Sequence, residues 1–334
     1  MTVNKAYLMA ERMGFEPMKR LLLYTLSKRA LSTTQPPLLN FCVVIIIYLY
    51  NFYQMKIFDC FRYCGEDLLL NLRLKTLYNK VDKFIIIEGN KYYNGEEKKQ
   101  LFNINNFKEF KKKIDFYFID NFPNYDFKNN EKSHWLYDDF HINKIELGLN
   151  NLSDDDYVLI SDLDEIPKLD DKEFLEYDST VFLQNMYYYK FNVQLYKGLK
   201  WNNKWPGTKG CKFKYFKSAR QVREFRVRNI PWWRFDRKIK RHIKQDGGWH
   251  FSYLMNEEQI KLKLLRVPGE IHHILRNNEE LKNKLFDDEI IKNKLKNFID
   301  PYGRSDIFLK KVKIDNTFPS YINKNFEKLS DYIA

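Results

Sequence analysis

The apolar residues in the first half of the chain fall into short runs separated by a helical repeat. Residues 57–61 and 81–88 are apolar runs of strand length, and residues 67–78 between them carry leucines at helical spacing. This order predicts a strand, a helix and a second strand, which is the unit from which α/β sheets are built. Alternating apolar residues predict another strand over 114–119, after a short helix over 107–113.

The same kinds of pattern continue further along the chain. A helix is predicted over 135–149, a buried strand over 158–160 and aromatic-rich strands over 180–191. An amphipathic helix is predicted over 256–265, beginning at a capping Asn256, and a late strand over 307–314. Strands alternating with helices predict an α/β fold, and we expect residues 55–334 to form a single catalytic domain.

The first 54 residues differ from the rest and leave two interpretations open. Residues 38–53 are largely apolar, and basic residues precede them, so this stretch is either a signal anchor or an extension from a misassigned start before Met55. Insertion of 38–53 would make the protein membrane-anchored, and otherwise we expect it in the cytoplasm.

Acidic residues follow the buried strand directly. Asp162 and Asp164 are separated by one residue, and in an extended segment they would face one way, about 6 to 7 Å apart. Mg²⁺ and Mn²⁺ prefer carboxylate oxygens and are commonly held by one or two carboxylates together with the phosphates of a substrate. Since ligands of open α/β sheets bind at the carboxyl ends of strands, this pair is the first candidate site.

Several separated motifs resemble one enzyme family when they are read in order. The Asp-Leu-Asp-Glu-Ile-Pro sequence resembles the metal motif of GT-A glycosyltransferases, and together with four other segments it is similar to glycosyltransferase family 17 over roughly 55–310. The segments are 57–61, 84–90, 162–167, 210–211 and 247–253, the last reading Gly-Gly-Trp-His-Phe-Ser-Tyr.

The resemblance implies a GT-A-like sheet and an inverting transfer of GlcNAc from UDP-GlcNAc, with Mn²⁺ or Mg²⁺, to a mannose-containing or other glycan. By the same likeness, His250 is expected to join Asp162 and Asp164 at the metal. Candidate nucleotide-sugar contacts are Glu88 at a strand end, Asp162, and Arg223 and Arg226 from a basic run. Inversion requires a general base, for which Glu165, Asp246 and Glu270 are the candidates.

Charge and cysteine content limit which other classes of function the chain could have. The net charge is +13, but basic and acidic residues are mixed, and no zinc-finger spacing, RNP-like motif or Walker A loop is present, so we expect no nucleic-acid partner. Four cysteines without paired spacing do not form a disulfide framework. A metal-dependent nucleotidyl or phosphoryl transferase, and a non-catalytic carbohydrate-binding protein that uses the abundant aromatic residues, stay as alternatives.

Overall fold

A mixed sheet of 11 strands lies at the centre of the computed structural model, which describes residues 55–126, 132–227, 239–266, 280 and 287–334. The predicted α/β class is thereby confirmed. The strands are β1 (Ile57–Arg62), β2 (Lys83–Gly89), β3 (Ile114–Ile119), β4 (Tyr157–Asp162), β5 (Glu165–Pro167), β6 (Ser179–Tyr188), β7 (Val193–Lys197), β8 (Trp205–Lys212), β9 (Arg241–Lys244), β10 (Gly248–Ser252) and β11 (Phe308–Lys311).

Helices flank this sheet. The α-helices of the described residues are α1 (Asp67–Leu77), α2 (Ser133–Asn143), α3 (Ala219–Arg223), α4 (Glu257–Arg266), α5 (Asp288–Lys296) and α6 (Ser320–Lys324). Segments of 3₁₀-helix cover Ile104–Lys113, Lys144–Gly148, Glu173–Glu176, Phe213–Tyr215 and Glu327–Tyr332. A turn at Lys200–Asn203 has left-handed backbone angles at Trp201, Asn202 and Asn203.

The sheet has a parallel half and a mainly antiparallel half. Its strand order is β11-β7-β6-β8-β4-β1-β2-β3, and β4, β1, β2 and β3 are mutually parallel. Strands β8, β6, β7 and β11 continue from β4 with antiparallel pairing. Strand β10 pairs with β5 and β6, and β9 pairs with β6. The two halves join at β4.

Strands β1, β2 and β4 are buried along nearly their whole length because both of their faces are covered. Alternate residues of β1, β2 and β4 point to one face, where they pack against Ile142 and Ile145. These strand residues are Phe58, Cys60, Ile85, Ile87, Val158 and Ile160.

Strand positions agree with the sequence pattern more closely than helix types do. The strand predicted over 114–119 is β3 without a shift, and the strand predicted over 307–314 is the shorter β11. The helix predicted over 135–149 keeps its α form only as far as Asn143 and then tightens into a 3₁₀ segment. At the end of that segment a Cβ on Gly148 would lie 2.5 Å from Ile85, so the chain there packs directly on β2.

The proposed anchor at 38–53 lies outside the described residues, as does Cys42. Within the part of the chain that the structure describes, no helix has both the length and the apolar character needed to cross a bilayer. Cys60 and Cys211 are buried, as expected for structural thiols.

Candidate active site

Two charged side chains meet where the order of the parallel strands reverses. From β1 the chain builds β2 and β3 toward one edge and then returns to place β4 on the other side of β1. Arg62 ends β1 and Asp162 ends β4, and these two residues are partners in the ladder. Because open α/β sheets bind ligands in the crevice at such a reversal, this pair marks the expected binding position.

The Asp162 carboxylate contacts two arginines. Its Oδ1 accepts a hydrogen bond from Arg62 at 2.7 Å, and Arg223 of α3 donates to Oδ1 at 3.2 Å and to Oδ2 at 3.0 Å. Burial disfavours the charged form, but Arg223 and Arg62 outweigh it and hold the pKa of Asp162 well below its usual range. Arg62 is held in turn by Asp138. The Asp162 side chain keeps 35% of its surface exposed, so the ionised group faces solvent.

The backbone turns immediately after Asp162. Residues 163–164 form a turn, and β5 begins at Glu165. The expectation that Asp162 and Asp164 project from one extended segment is therefore wrong, because β4 ends at the first of them. The turn places the two carboxylates against different partners.

Asp164 contacts a lysine and a histidine from distant parts of the chain. Its Oδ2 lies 3.3 Å from Lys263 Nζ and 3.5 Å from His250 Nε2. Burial acts to raise the pKa of Asp164, but Lys263 and His250 lower it to about 2. The same contact raises the pKa of Lys263 against the opposing effect of its own burial. Asp164 is therefore an ionised carboxylate whose charge is already balanced.

A glycine brings His250 to this position. Gly248 has a φ of +121°, and a Cβ there would lie 2.2 Å from the carbonyl oxygen of Ile166, so only glycine lets β10 approach β5 this closely. The resulting pairing puts His250 opposite Glu165. Burial opposes protonation, yet Asp164 raises the pKa of His250 above its usual value. The Nδ1 atom of His250 is buried and has no hydrogen-bond partner among the described residues.

Glu165 is a buried carboxylate with a different charge balance. Its Oε1 accepts a hydrogen bond from the indole N–H of Trp205 at 2.6 Å, and its Oε2 accepts one from the backbone N–H of Asp162 at 3.0 Å. Burial and the neighbouring charge of Asp162 raise its pKa above the usual value. Of the three acidic side chains in this motif, Glu165 therefore has the strongest tendency to take up a proton.

Arg73 supports the motif from inside the protein. Its side chain and that of Asp59 are completely buried, and two guanidinium nitrogens donate to Asp59 at 2.8 and 2.6 Å. Nη2 also donates to Ser161 at 2.6 Å. Nη1 donates to the backbone carbonyls of residues 162, 163 and 165 at 2.9, 3.1 and 3.1 Å. Arg73 therefore fixes the turn on which the acidic side chains stand.

The remaining predicted site residues lie elsewhere or have other contacts. Glu88 is fully buried, and its carboxylate binds Lys98 and the backbone N–H groups of Leu101 and Phe102. These contacts give Glu88 a clear role in holding the 98–102 segment. Asp246 is exposed and forms an ion pair with Lys168.

Two further predicted residues are not brought into the cluster by any described contact. The Arg226 side chain is exposed, and its carbonyl accepts a hydrogen bond from Arg241 at 3.4 Å. Glu270 lies outside the described residues, so its candidacy as a base stays a prediction.

The side chains as they stand do not fit a divalent metal ion, although Asp and His are suitable ligand types. Asp162 directs both oxygens at arginines, and Asp164 directs Oδ2 at Lys263. Within the described ranges, no three His, Cys, Asp or Glu side chains come together as a set that could hold a metal. Ligation by Asp162, Asp164 and His250 stays a prediction, and we assign no step to a metal.

Three basic residues of the site were missed by the sequence argument. Arg62 and Lys263 lie 100 and 99 residues from the carboxylates that they contact, so no local pattern joins them. Arg73 had a signal: it falls four residues after Leu69 and four before Leu77, on the apolar face of α1. A charged residue on such a face requires a buried partner.

The comparison with family profiles agrees with the resemblance seen in the sequence motifs. No curated protein was found to match the chain. The profile of glycosyltransferase family 17 matches residues 42–293, which is most of the chain and includes every strand from β1 to β10. The mixed sheet flanked by helices is consistent with a GT-A-like fold. The chain belongs to glycosyltransferase family 17 and is a glycosyltransferase.

Proposed function

We propose that this protein transfers GlcNAc from UDP-GlcNAc, with inversion at the anomeric carbon, to a hydroxyl of a mannose-containing or related glycan. The family supports a nucleotide-sugar donor and a glycan acceptor in general terms. The observation that carries the site assignment is the contact of Arg62, Asp162 and Arg223 at the strand reversal. A ligand-binding crevice is expected at that place in an open α/β sheet.

The cations of the site suit the diphosphate of such a donor. Arginine presents paired N–H groups that match phosphate oxygens, and lysine acts as a compact positive charge. Arg223 keeps 26% of its side chain exposed and Lys263 keeps 22%, so both are accessible to a ligand. Arg226 is exposed but has no described contact with the acidic motif, and we therefore place Arg223 at the donor in preference to Arg226.

The reaction that we propose is a direct displacement. An acceptor oxygen forms a bond to the anomeric carbon while the bond from that carbon to the β-phosphate oxygen breaks. The departing phosphate oxygen keeps the bonding electron pair and leaves as UDP. Positive groups aimed at this oxygen stabilise the charge that develops on it. The hydroxyl proton of the acceptor must pass to a base.

Glu165 is the base that we favour. It lies in the motif beside Asp162, and its raised pKa makes it a better proton acceptor than an ordinary carboxylate. Asp246 is exposed and bound to Lys168, away from the described contacts of the motif. The Trp205 ring lies 5.5 Å from the His250 ring and is half-buried, which puts an aromatic surface beside Glu165 where a sugar ring can stack.

The test is an assay of the full chain with UDP-GlcNAc, other UDP-sugars and GDP-sugars, and with a set of glycan acceptors. We expect UDP release to depend on the acceptor and mass spectrometry to show one added N-acetylhexosamine. Transfer should be lost in Asp162→Asn and Asp164→Asn. Asp155→Asn is the matched control, because Asp155 precedes β4 and only forms a half-exposed pair with Lys214.

Other products would point to the alternatives. Release of pyrophosphate would identify a nucleotidyl transferase. Glycan binding without turnover, unchanged in the asparagine variants, would identify a binding protein. Transfer of a different sugar would correct the donor while leaving the reaction class intact.

A further inference from the structure

Lys263 places a positive charge directly against one of the two aspartates of the motif. Its Nζ lies 3.3 Å from Asp164 Oδ2. Glu66 and Asp162 are close enough to act electrostatically on Lys263, and the Tyr253 ring centre lies 5.3 Å from Nζ. The ammonium of Lys263 therefore contacts one carboxylate and an aromatic ring, and two further acidic groups act on it electrostatically.

The helix that carries Lys263 is fixed by its own sequence. Asn256 and Gln259 form reciprocal side-chain to backbone hydrogen bonds of 2.9 and 3.1 Å at the start of α4. This arrangement stabilises a helix start. Ile260 and Leu264, on either side of Lys263, are buried in a core cluster. The position of Lys263 is therefore set by capping and packing as well as by Asp164.

A divalent ion that bound through Asp164 Oδ2 or through Asp162 would have to displace a basic side chain. To bind Asp164 through Oδ2 it would displace Lys263, and to bind Asp162 it would displace Arg223 or Arg62 from at least one oxygen. The displaced cations would then repel the ion at short range. Without any metal, the two aspartates already have Arg62, Arg223 and Lys263 as positively charged partners.

We propose that Lys263 takes the role of a divalent metal in this enzyme, so that the diphosphate of the donor is neutralised by Lys263 and Arg223 and donor binding needs no metal ion. The proposal rests on the proposed function, since it concerns the cation requirement of the same donor site. Its ligand is a nucleoside diphosphate, and the residues that bind it come from α3 and α4.

The test measures UDP binding to the full chain by calorimetry, after EDTA treatment and again with added Mn²⁺. We expect the Kd for UDP in the wild type to agree within about twofold between the two conditions. In EDTA, Lys263→Met should weaken binding by about tenfold or more, and Lys263→Arg should restore most of it because it restores the charge. Added Mn²⁺ should strengthen UDP binding to Lys263→Met, since Asp164 and His250 are then free of the ammonium.

Lys261→Met is the matched control. Lys261 is two residues away on α4 and pairs with the exposed Asp288 at 3.0 Å, so its removal changes the helix charge equally without touching Asp164. We expect this variant to bind UDP as the wild type does.

Two results would overturn the proposal while leaving the proposed function standing. One is wild-type UDP binding that disappears in EDTA and returns with Mn²⁺, a comparison that needs no variant. The other is unchanged metal-free binding in a folded Lys263→Met protein. Absence of UDP binding under both conditions would instead overturn the proposed function, and this inference with it.

Discussion

Two charge clusters contact the same turn, and they differ in how completely their hydrogen-bonding groups are satisfied. The inner cluster is Arg73, Asp59 and Ser161. It has no exposed charge, and all three guanidinium nitrogens donate hydrogen bonds. The outer cluster is partly exposed, and the Nδ1 atom of its His250 has no hydrogen-bond partner in the part of the chain that the structure describes. Its members are Arg62, Asp162, Asp164, Arg223, His250 and Lys263.

This difference indicates that the inner cluster supports the backbone and that the outer cluster is the reactive site. A buried ion pair with every donor used has no capacity left for a ligand, so the inner cluster serves to hold the backbone of residues 162–165. The outer cluster has partly exposed cations and a histidine with a raised pKa, and its contacts can be exchanged for those of an anionic substrate. Substitutions in the inner cluster should therefore lower the unfolding free energy, whereas substitutions in the outer cluster should lower activity.

The largest effect is expected from Arg73→Met. Removing one partner of a buried pair leaves Asp59 charged and uncompensated, which costs about 3 to 5 kcal/mol of unfolding free energy. Urea denaturation followed by circular dichroism measures this loss. Lys75→Met is the control on the same helix, because its pair with Glu109 is exposed and should contribute no more than about 1 kcal/mol. Equal effects of the two substitutions would contradict the supporting role.

Asp162→Asn and Asp164→Asn should lower turnover by about a hundredfold or more with the fold kept, because each removes a charge that orients the cations of the site. Sugar transfer and thermal unfolding, measured on the same samples, separate the two effects. An equal loss of activity in Asp155→Asn would show that the effect is not specific to the outer cluster.

Glu165→Gln should lower kcat by about 10²-fold to 10⁴-fold if Glu165 is the base. Only the ionised form of Glu165 accepts a proton, and its pKa is raised, so activity should fall as the pH decreases through a midpoint above that of an ordinary glutamate. This acid limb should vanish from the pH profile of Glu165→Gln. Asp246→Asn should leave both kcat and the profile unchanged, and a large effect there would transfer the role to Asp246.

The smallest effect concerns stability at low pH. The pKa of Asp164 is depressed to about 2 in the folded protein, against about 3.9 in an unfolded chain. Its contribution to stability is therefore present above about pH 4 and is lost as the pH falls toward 2. The unfolding free energy should decrease less steeply over this range in Asp164→Asn than in the wild type. Parallel curves would show that the contact with Lys263 is not maintained in solution.

Much of the sheet could be predicted from the sequence because its strands are defined by local apolar patterns. The β3 strand was found without a shift, and the acidic motif was correctly placed at the carboxyl end of the buried strand β4. The turn after Asp162 was missed because Arg73, which binds its carbonyls, comes from a helix about 90 residues earlier. Local residue spacing contains no information about that contact.

The partners of the acidic motif could be identified only from the fold. Arg62 meets Asp162 through strand pairing, and Lys263 meets Asp164 through the docking of α4. A sequence pattern identifies residue types suitable for a metal but not the cations that lie against them. The prediction of a metal site rested on residue types alone. The observed ion pairs depend on contacts between residues far apart in the sequence.

UDP binding to Arg223→Met and Arg226→Met, measured by calorimetry beside the wild type, is the sharpest test of where the nucleotide-sugar donor binds. Arg223 contacts Asp162 through both terminal nitrogens, whereas Arg226 is an exposed arginine three residues later. We expect Arg223→Met to weaken UDP binding by about tenfold or more and Arg226→Met to leave it unchanged within about twofold. Full-strength binding by a folded Arg223→Met protein would contradict the assignment of the nucleotide-sugar site to the outer cluster.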